Sequence, residues 1–109
     1  MTKDEILALE SGRYMDGLII VALDLPRALD TPGGSRLMAY STDRADVWRV
    51  VNKLQTSGFG ICLYSYPTNY TWFCSVMGKE YIHSAHAGRA PEAICKAALL
   101  AVQEVEKGV

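Results

Sequence analysis

The stretch Gly88–Gly108, GRAPEAICKAALLAVQEVEKG, decides the fold. Pro91 at a first helical position and Glu92 in a first turn predict a helix start, and Gly108 predicts its end. Ile94, Ala97, Ala98, Ala101, Val102 and Val105 form the inner stripe, and Cys95, Leu99 and Leu100 widen it until the helix is apolar around most of its circumference. A helix of this kind needs a sheet, and its alanines let the axis sit close to one.

The sheet is written immediately upstream. Phe59–Tyr66, Thr71–Met77 and Glu80–His86 read as strands joined by turns at Pro67–Asn69 and Gly78-Lys79, which makes an antiparallel meander. With loops of even length, Phe59, Ile61, Leu63, Trp72, Cys74, Val76, Tyr81, His83 and Ala85 share the core face. Cys62, Tyr64, Tyr66, Phe73, Ser75, Met77, Ile82, Ser84 and His86 share the other. That second face is too apolar to be left open and is expected to be covered.

Further upstream, Ser41-Thr42-Asp43 caps a helix whose stripe is Val47, Val50, Val51 and Leu54 and whose stop is Gly58. Leu25–Arg36, with Pro26, Pro32, Gly33 and Gly34, reads as a loop, followed by a short extended segment at Arg36–Tyr40. At the N-terminus, Thr2 and Glu5 have the spacing of a capping box. The helix they open breaks near Ser11-Gly12, with Ser11 as a second cap, and resumes through Tyr14, Met15, Leu18, Ile19 and Ala22. The expected architecture is one α+β domain over residues 1–109, a three-stranded antiparallel meander sandwiched between helices in the order α-α-β-β-β-α. The middle and final helices take one sheet face and the N-terminal helix takes the other.

Composition narrows the function classes. Eleven basic and twelve acidic residues are interspersed, for a net charge of −1, so the phosphate-binding footprint of a general nucleic-acid binder is missing. Three cysteines without a CxxC pair suggest neither a disulfide framework nor a zinc knuckle, and a reducing bacterial cytoplasm is the expected setting. No apolar run approaches the ~18 residues of a membrane span, and Lys3-Asp4-Glu5 is unlike a signal peptide.

Three ordered blocks, MTKDEILALESGRYMD (Met1–Asp16), YSTDRADVWRVVNKL (Tyr40–Leu54) and APEAICKAALLAV (Ala90–Val102), resemble the phage ABA sandwich domain, a small protein type of phages and prophages. The resemblance implies an α/β/α sandwich in a phage accessory protein, and it brings no catalytic residues to carry over. The order helix, three strands, helix from Thr42 to Val105, with Gly78-Lys79-Glu80-Tyr81 ahead of an alanine-rich helix, is also similar to a double-stranded RNA-binding domain. The Lys-rich helix start of that family is replaced here by Arg89-Ala90-Pro91-Glu92, and Tyr66–Tyr70 lacks its Gly-Pro-x-His loop, so shared topology without RNA binding is expected.

Candidate chemistry is sparse. His83 and His86 leave opposite faces of one strand and so do not join one metal, and Cys62 and Cys74 are likewise on opposite faces. Cys74 and His83 are placed opposite each other on neighbouring strands but in the core, where a cysteine is inert. Asp43 and Asp46 are explained by a helix first turn. Pro32–Arg36 can cradle an anion with its amides and Arg36, or can simply connect. Tyr64, Tyr66, Tyr70 and Trp72 near one hairpin end, with Arg44 and Trp48 one helical turn apart, can stack on a base and clamp a phosphate, or can seal the edges of a thin sandwich. The expectation is a non-enzymatic protein without cofactor or metal, binding a small nucleotide-like host molecule through Arg36, Arg44, Trp48, Tyr64, Tyr66, Tyr70 and Trp72 in an anti-defence role. The alternative is a module that binds or inhibits a host protein, and a homodimer is compatible with either.

Overall fold

The computed structural model describes residues 1–67 and 69–107, the last four by backbone only. The expected stop at Gly108, the inward side chain of Val105 and the middle of the Pro67–Asn69 turn lie outside the described residues. The elements are α1 (Lys3–Leu7), α2 (Arg13–Leu23), β1 (Ala28–Thr31), β2 (Gly34–Leu37), α3 (Arg44–Thr56), β3 (Gly60–Tyr66), β4 (Thr71–Met77), β5 (Ile82–Ala87) and α4 (Ala90–Lys107). The fold is α+β, with one three-stranded antiparallel sheet in the order β3-β4-β5 and one two-stranded sheet.

The strand register is the one that period-two alternation dictates. Leu63 faces Cys74, which faces Ala85, and Ile61 faces Val76, which faces His83. Each loop holds four residues, so neither reverses the faces. β5 begins two residues later than the pattern suggests, because Gly78 N–H donates to Tyr81 O (2.9 Å) and draws Glu80 and Tyr81 into the turn. Tyr81 is exposed there instead of lying on the core face.

The apolar circumference of α4 is satisfied from two sides. β4 and β5 lie against one side, and α1, α2 and α3 pack on the others. Ala93, Ile94, Cys95, Ala97, Ala98, Leu99, Leu100 and Ala101 are all buried as a result. This corrects the expected placement of the N-terminal helices. α2 packs on α4 and α3, not on the second sheet face. Tyr64, Tyr66 and Ile82 on that face are exposed.

A second correction concerns Leu25–Arg36, which is not a plain loop. β1 and β2 pair as a hairpin with Thr31 opposite Gly34, where Gly34 takes a φ of 121° that a side chain would resist. The hairpin is tied down by Asp46. Its carboxyl accepts two bonds from Arg36, Nη1 to Oδ2 at 3.0 Å and Nη2 to Oδ1 at 2.8 Å, and a third from Ala39 N–H at 2.8 Å. The Arg36 bonds, helped by the Ala39 amide, hold this carboxyl below its ordinary value against the opposing effect of burial.

Buried polar contacts fix the remaining joints. Ser41, fully buried, donates its N–H (2.8 Å) and its hydroxyl (2.6 Å) to Asp16 Oδ1, and the same hydroxyl accepts from Gly12 N–H (2.9 Å). Gly12, not Ser11, is the N-cap of α2, and the Ser11 N–H donates to Glu92 Oε1 at 2.9 Å. Lys96 Nζ donates to Leu7 O at 3.0 Å, satisfying the C-terminal end of α1.

Two outcomes follow for stability. Asp16→Ala leaves the Ser41 amide without an acceptor in the interior and its hydroxyl with only Gly12 O (3.2 Å), and should cost about 2–3 kcal/mol in urea unfolding, with Asp16→Asn costing less because one acceptor oxygen remains. For Asp46 the folded pKa lies below the unfolded value of 3.8, so its contribution is complete above that value and is lost as pH falls through the lower folded one. Asp46→Asn should therefore flatten the acid limb of a stability-against-pH curve below about pH 4.

Candidate functional site

The seven sequence-derived residues fall in different places. Arg44 and Trp72 come together, at a cleft where the start of α3, the start of β4 and the β5–α4 junction converge. Trp48 stands one turn beyond Arg44 on α3, exposed, and is not part of the cleft wall. Tyr64 and Tyr66 project from the opposite sheet face, where Tyr64 stacks at 4.8 Å on Phe73 and meets Tyr66 edge-on at 5.7 Å. Tyr70 sits in the β3–β4 turn at a φ of 54°, 84% exposed. Arg36 is committed to Asp46, so the Pro32–Arg36 anion cradle keeps only its backbone.

The cleft has a volume of ≈ 220 Å³ and is walled by Thr42, Arg44, Trp72, Gly88, Arg89 and the first turn of α4. Two helices point their N-termini toward this end of the molecule, which adds positive partial charge to that of the arginines. The nearby carboxylates are engaged elsewhere. Asp43 accepts from Asp46 N–H (2.9 Å) as the cap of α3, and Glu92 is bound to Ser11. Among the described residues neither Arg44 nor Arg89 is in an ion pair. Trp72, half-buried at the sheet end, lines the cleft beside them. Arg89 is the addition that sequence reasoning missed. Its one visible signal was position, directly ahead of a helix start and behind Gly88.

Two larger depressions, ≈ 320 and ≈ 280 Å³, share Ala22 and Val102 and run along the seam between α2 and α4. The smaller is walled mainly by aliphatic side chains, and the larger adds Asp24, Lys53 and Ser57 to Ala22, Leu23, Phe59 and Val102; both are shallow seams between helices.

Nucleophilic and metal chemistry find little support in the geometry. Cys74 faces Ala85 and His83 faces Val76, so the two are diagonal neighbours, not opposite each other as the unrefined register suggested. Burial pushes the Cys74 thiol up to about 12 and the Cys95 thiol well above its ordinary value, and Cys95 Sγ is spent on Tyr40 O at 3.4 Å. His86 packs against Phe73 on the open face at 4.5 Å. Among the described residues no three His, Cys, Asp or Glu side chains are grouped to hold a metal, and no helix is long and apolar enough to cross a membrane.

Comparison with known proteins adds a family and a fold. The family model described as the phage ABA sandwich domain matches residues 32–99. A crystal structure of a phage protein from Bacillus cereus superposes with a TM-score of 0.67 at 21% identity, over 84% of this chain and 92% of that one. No protein with a curated description matches the sequence.

The thiol geometry makes a direct forecast. In the folded protein at pH 8, Cys74 and Cys95 should resist an aromatic disulfide reagent that modifies both on unfolding; rapid native reaction at either would contradict their burial.

Proposed function

Because the chain belongs to the phage ABA sandwich domain family, we propose that it is a non-catalytic phage protein whose cleft at Arg44, Arg89 and Trp72 captures a small phosphate-bearing aromatic molecule, a nucleotide of the host cell. The observation that supports this reading is that two arginines with no carboxylate partner among the described residues line a single concave site together with one tryptophan. Guanidinium groups bind phosphate oxygens in pairs, and an indole offers a face or edge to a base. At ≈ 220 Å³ the cleft suits a phosphate and its sugar, with the base lying outward along Trp72 or toward the exposed Trp48. Holding such a ligand without turning it over would withdraw a nucleotide signal from antiviral defence.

A second reading is supported by a different surface. The open sheet face around Tyr64, Tyr66, Phe73 and Ile82 suits a protein partner, which would make the molecule an interaction module acting on a host protein. Double-stranded RNA binding lacks its basic footprint here, since Glu92 and Pro91 stand in the first turn of α4.

Thermal shift and calorimetry with a panel of linear and cyclic nucleotides test the cleft, with inorganic phosphate and free nucleosides as arms for each half of the ligand. A nucleotide at 100 times its Kd should add about 2.7 kcal/mol to stability. Arg44→Ala and Arg89→Ala should each weaken binding by about 10- to 100-fold while leaving the unliganded melting temperature close to that of the parent chain. Absence of any nucleotide response, or a response indifferent to both substitutions, would sink the proposal.

A further inference from the structure

The second face of the β3-β4-β5 sheet is the largest feature that the cleft does not explain. Helices α1 to α4 pack elsewhere, and Tyr64, Tyr66, Phe73, Met77, Ile82 and His86 stand on it, four of them exposed and two half-buried. The chain holds 23 charged residues in 109, yet no Lys, Arg, Asp or Glu occupies any of the strand positions of this face. A sheet surface meant for water normally alternates to charged and polar side chains, so this one is built for contact.

We propose that a second copy of the chain occupies it, the two sheets meeting face to face across a two-fold axis. Self-association follows from the charge pattern. A face with no Lys, Arg, Asp or Glu on its strands gives a foreign partner little formal charge to complement, whereas it meets its own image without like-charge repulsion from those groups. Its two central hydroxyls are prepared for desolvation, because Ser75 Oγ and Ser84 Oγ lie 2.9 Å apart and bond to each other. The aromatic groups are already packed, with Phe73 between Tyr64 (4.8 Å) and His86 (4.5 Å), so little side-chain freedom remains to be lost on contact. Three strands about 4.8 Å apart, each rising ~3.4 Å per residue, give a projected footprint of roughly 20 by 14 Å, about 280 Å² per copy before the relief of the standing side chains is added. The contact therefore sits at the small end of specific interfaces, below the ~800 Å² per partner of a standard one. Two such faces pack about 10 Å apart with strands near −30°, the ordinary geometry of a β-sandwich.

The full chain tests this by sedimentation and by labelling of Cys62, the exposed thiol that lies on this face while Cys74 and Cys95 are buried. The parent chain is expected at twice its 12.0 kDa mass, and Ile82→Glu and Tyr64→Glu, both at exposed positions, are expected at the single mass with unchanged circular dichroism. Maleimide labelling of Cys62 should be about tenfold slower in the parent than in either variant. A parent chain at single mass at ~0.1 mM overturns the proposal, including the case in which that monomer captures a host protein on the same face. A dimer that survives both substitutions, with Cys62 labelling unchanged, also overturns it by placing the contact elsewhere.

Discussion

A buried hydrogen-bond junction at Asp16 and Ser41 sets the geometry on which the other layers depend. Apolar stripes decide which faces turn inward, but they do not fix the angle at which two helices cross or the point at which a chain enters a helix. Ser41 does this by offering both its amide and its hydroxyl to one carboxyl oxygen of Asp16, while its hydroxyl also receives the Gly12 amide at the start of α2. The adjacent Tyr40 carbonyl receives the Cys95 thiol from α4, so α2 and α4 are tied to two consecutive residues just ahead of α3. Five residues further on, Asp46 repeats the device and binds the β1–β2 hairpin to the first turn of α3.

Much of the fold was legible because it depends on local periodicity. The β3-β4-β5 register followed from alternation and two even loops, the capping box at Thr2 and Glu5 formed as spaced, and the Val47–Leu54 stripe is buried throughout. The hairpin at Ala28–Leu37 was not legible, since Pro32-Gly33-Gly34 is the chemistry of loops and of tight turns alike and its four-residue strands bury little. The placement of α2 was misjudged for a different reason. A stripe on α2 is the same whatever it packs on, and the informative signal lay in α4, whose apolar circumference needed cover on the side away from the sheet as well as on the near side.

The candidate site was half legible. Arg44 and Trp72 carry recognisable chemistry, but which aromatic residues they join depends on sheet face and strand end, and that divides Tyr64 and Tyr66 from Trp72. Arg36 looked available because its partner Asp46 had a sufficient local explanation as a first-turn acid. Arg89 has no spacing motif, and only the closure of β5 onto α4 brings it beside Arg44. The result is a family scaffold with two distinctive surfaces, a polar cleft whose wall residues Thr42 and Pro91 adjoin the junction residues Ser41 and Glu92, and an open sheet face remote from them.

Glu92 and Lys96 have a consequence for how the molecule opens. They are four apart on α4, and one takes the Ser11 amide while the other supplies the Leu7 carbonyl, so a single helical turn grips the α1–α2 joint with both signs of charge. When that joint lifts, the two side chains are spaced to pair with each other, which offsets part of the cost of losing their backbone partners. The five-residue α1, too short to persist alone, is thereby a separable opening unit. Its amides belong at the fast end of hydrogen exchange, ahead of the α2, α3 and α4 core.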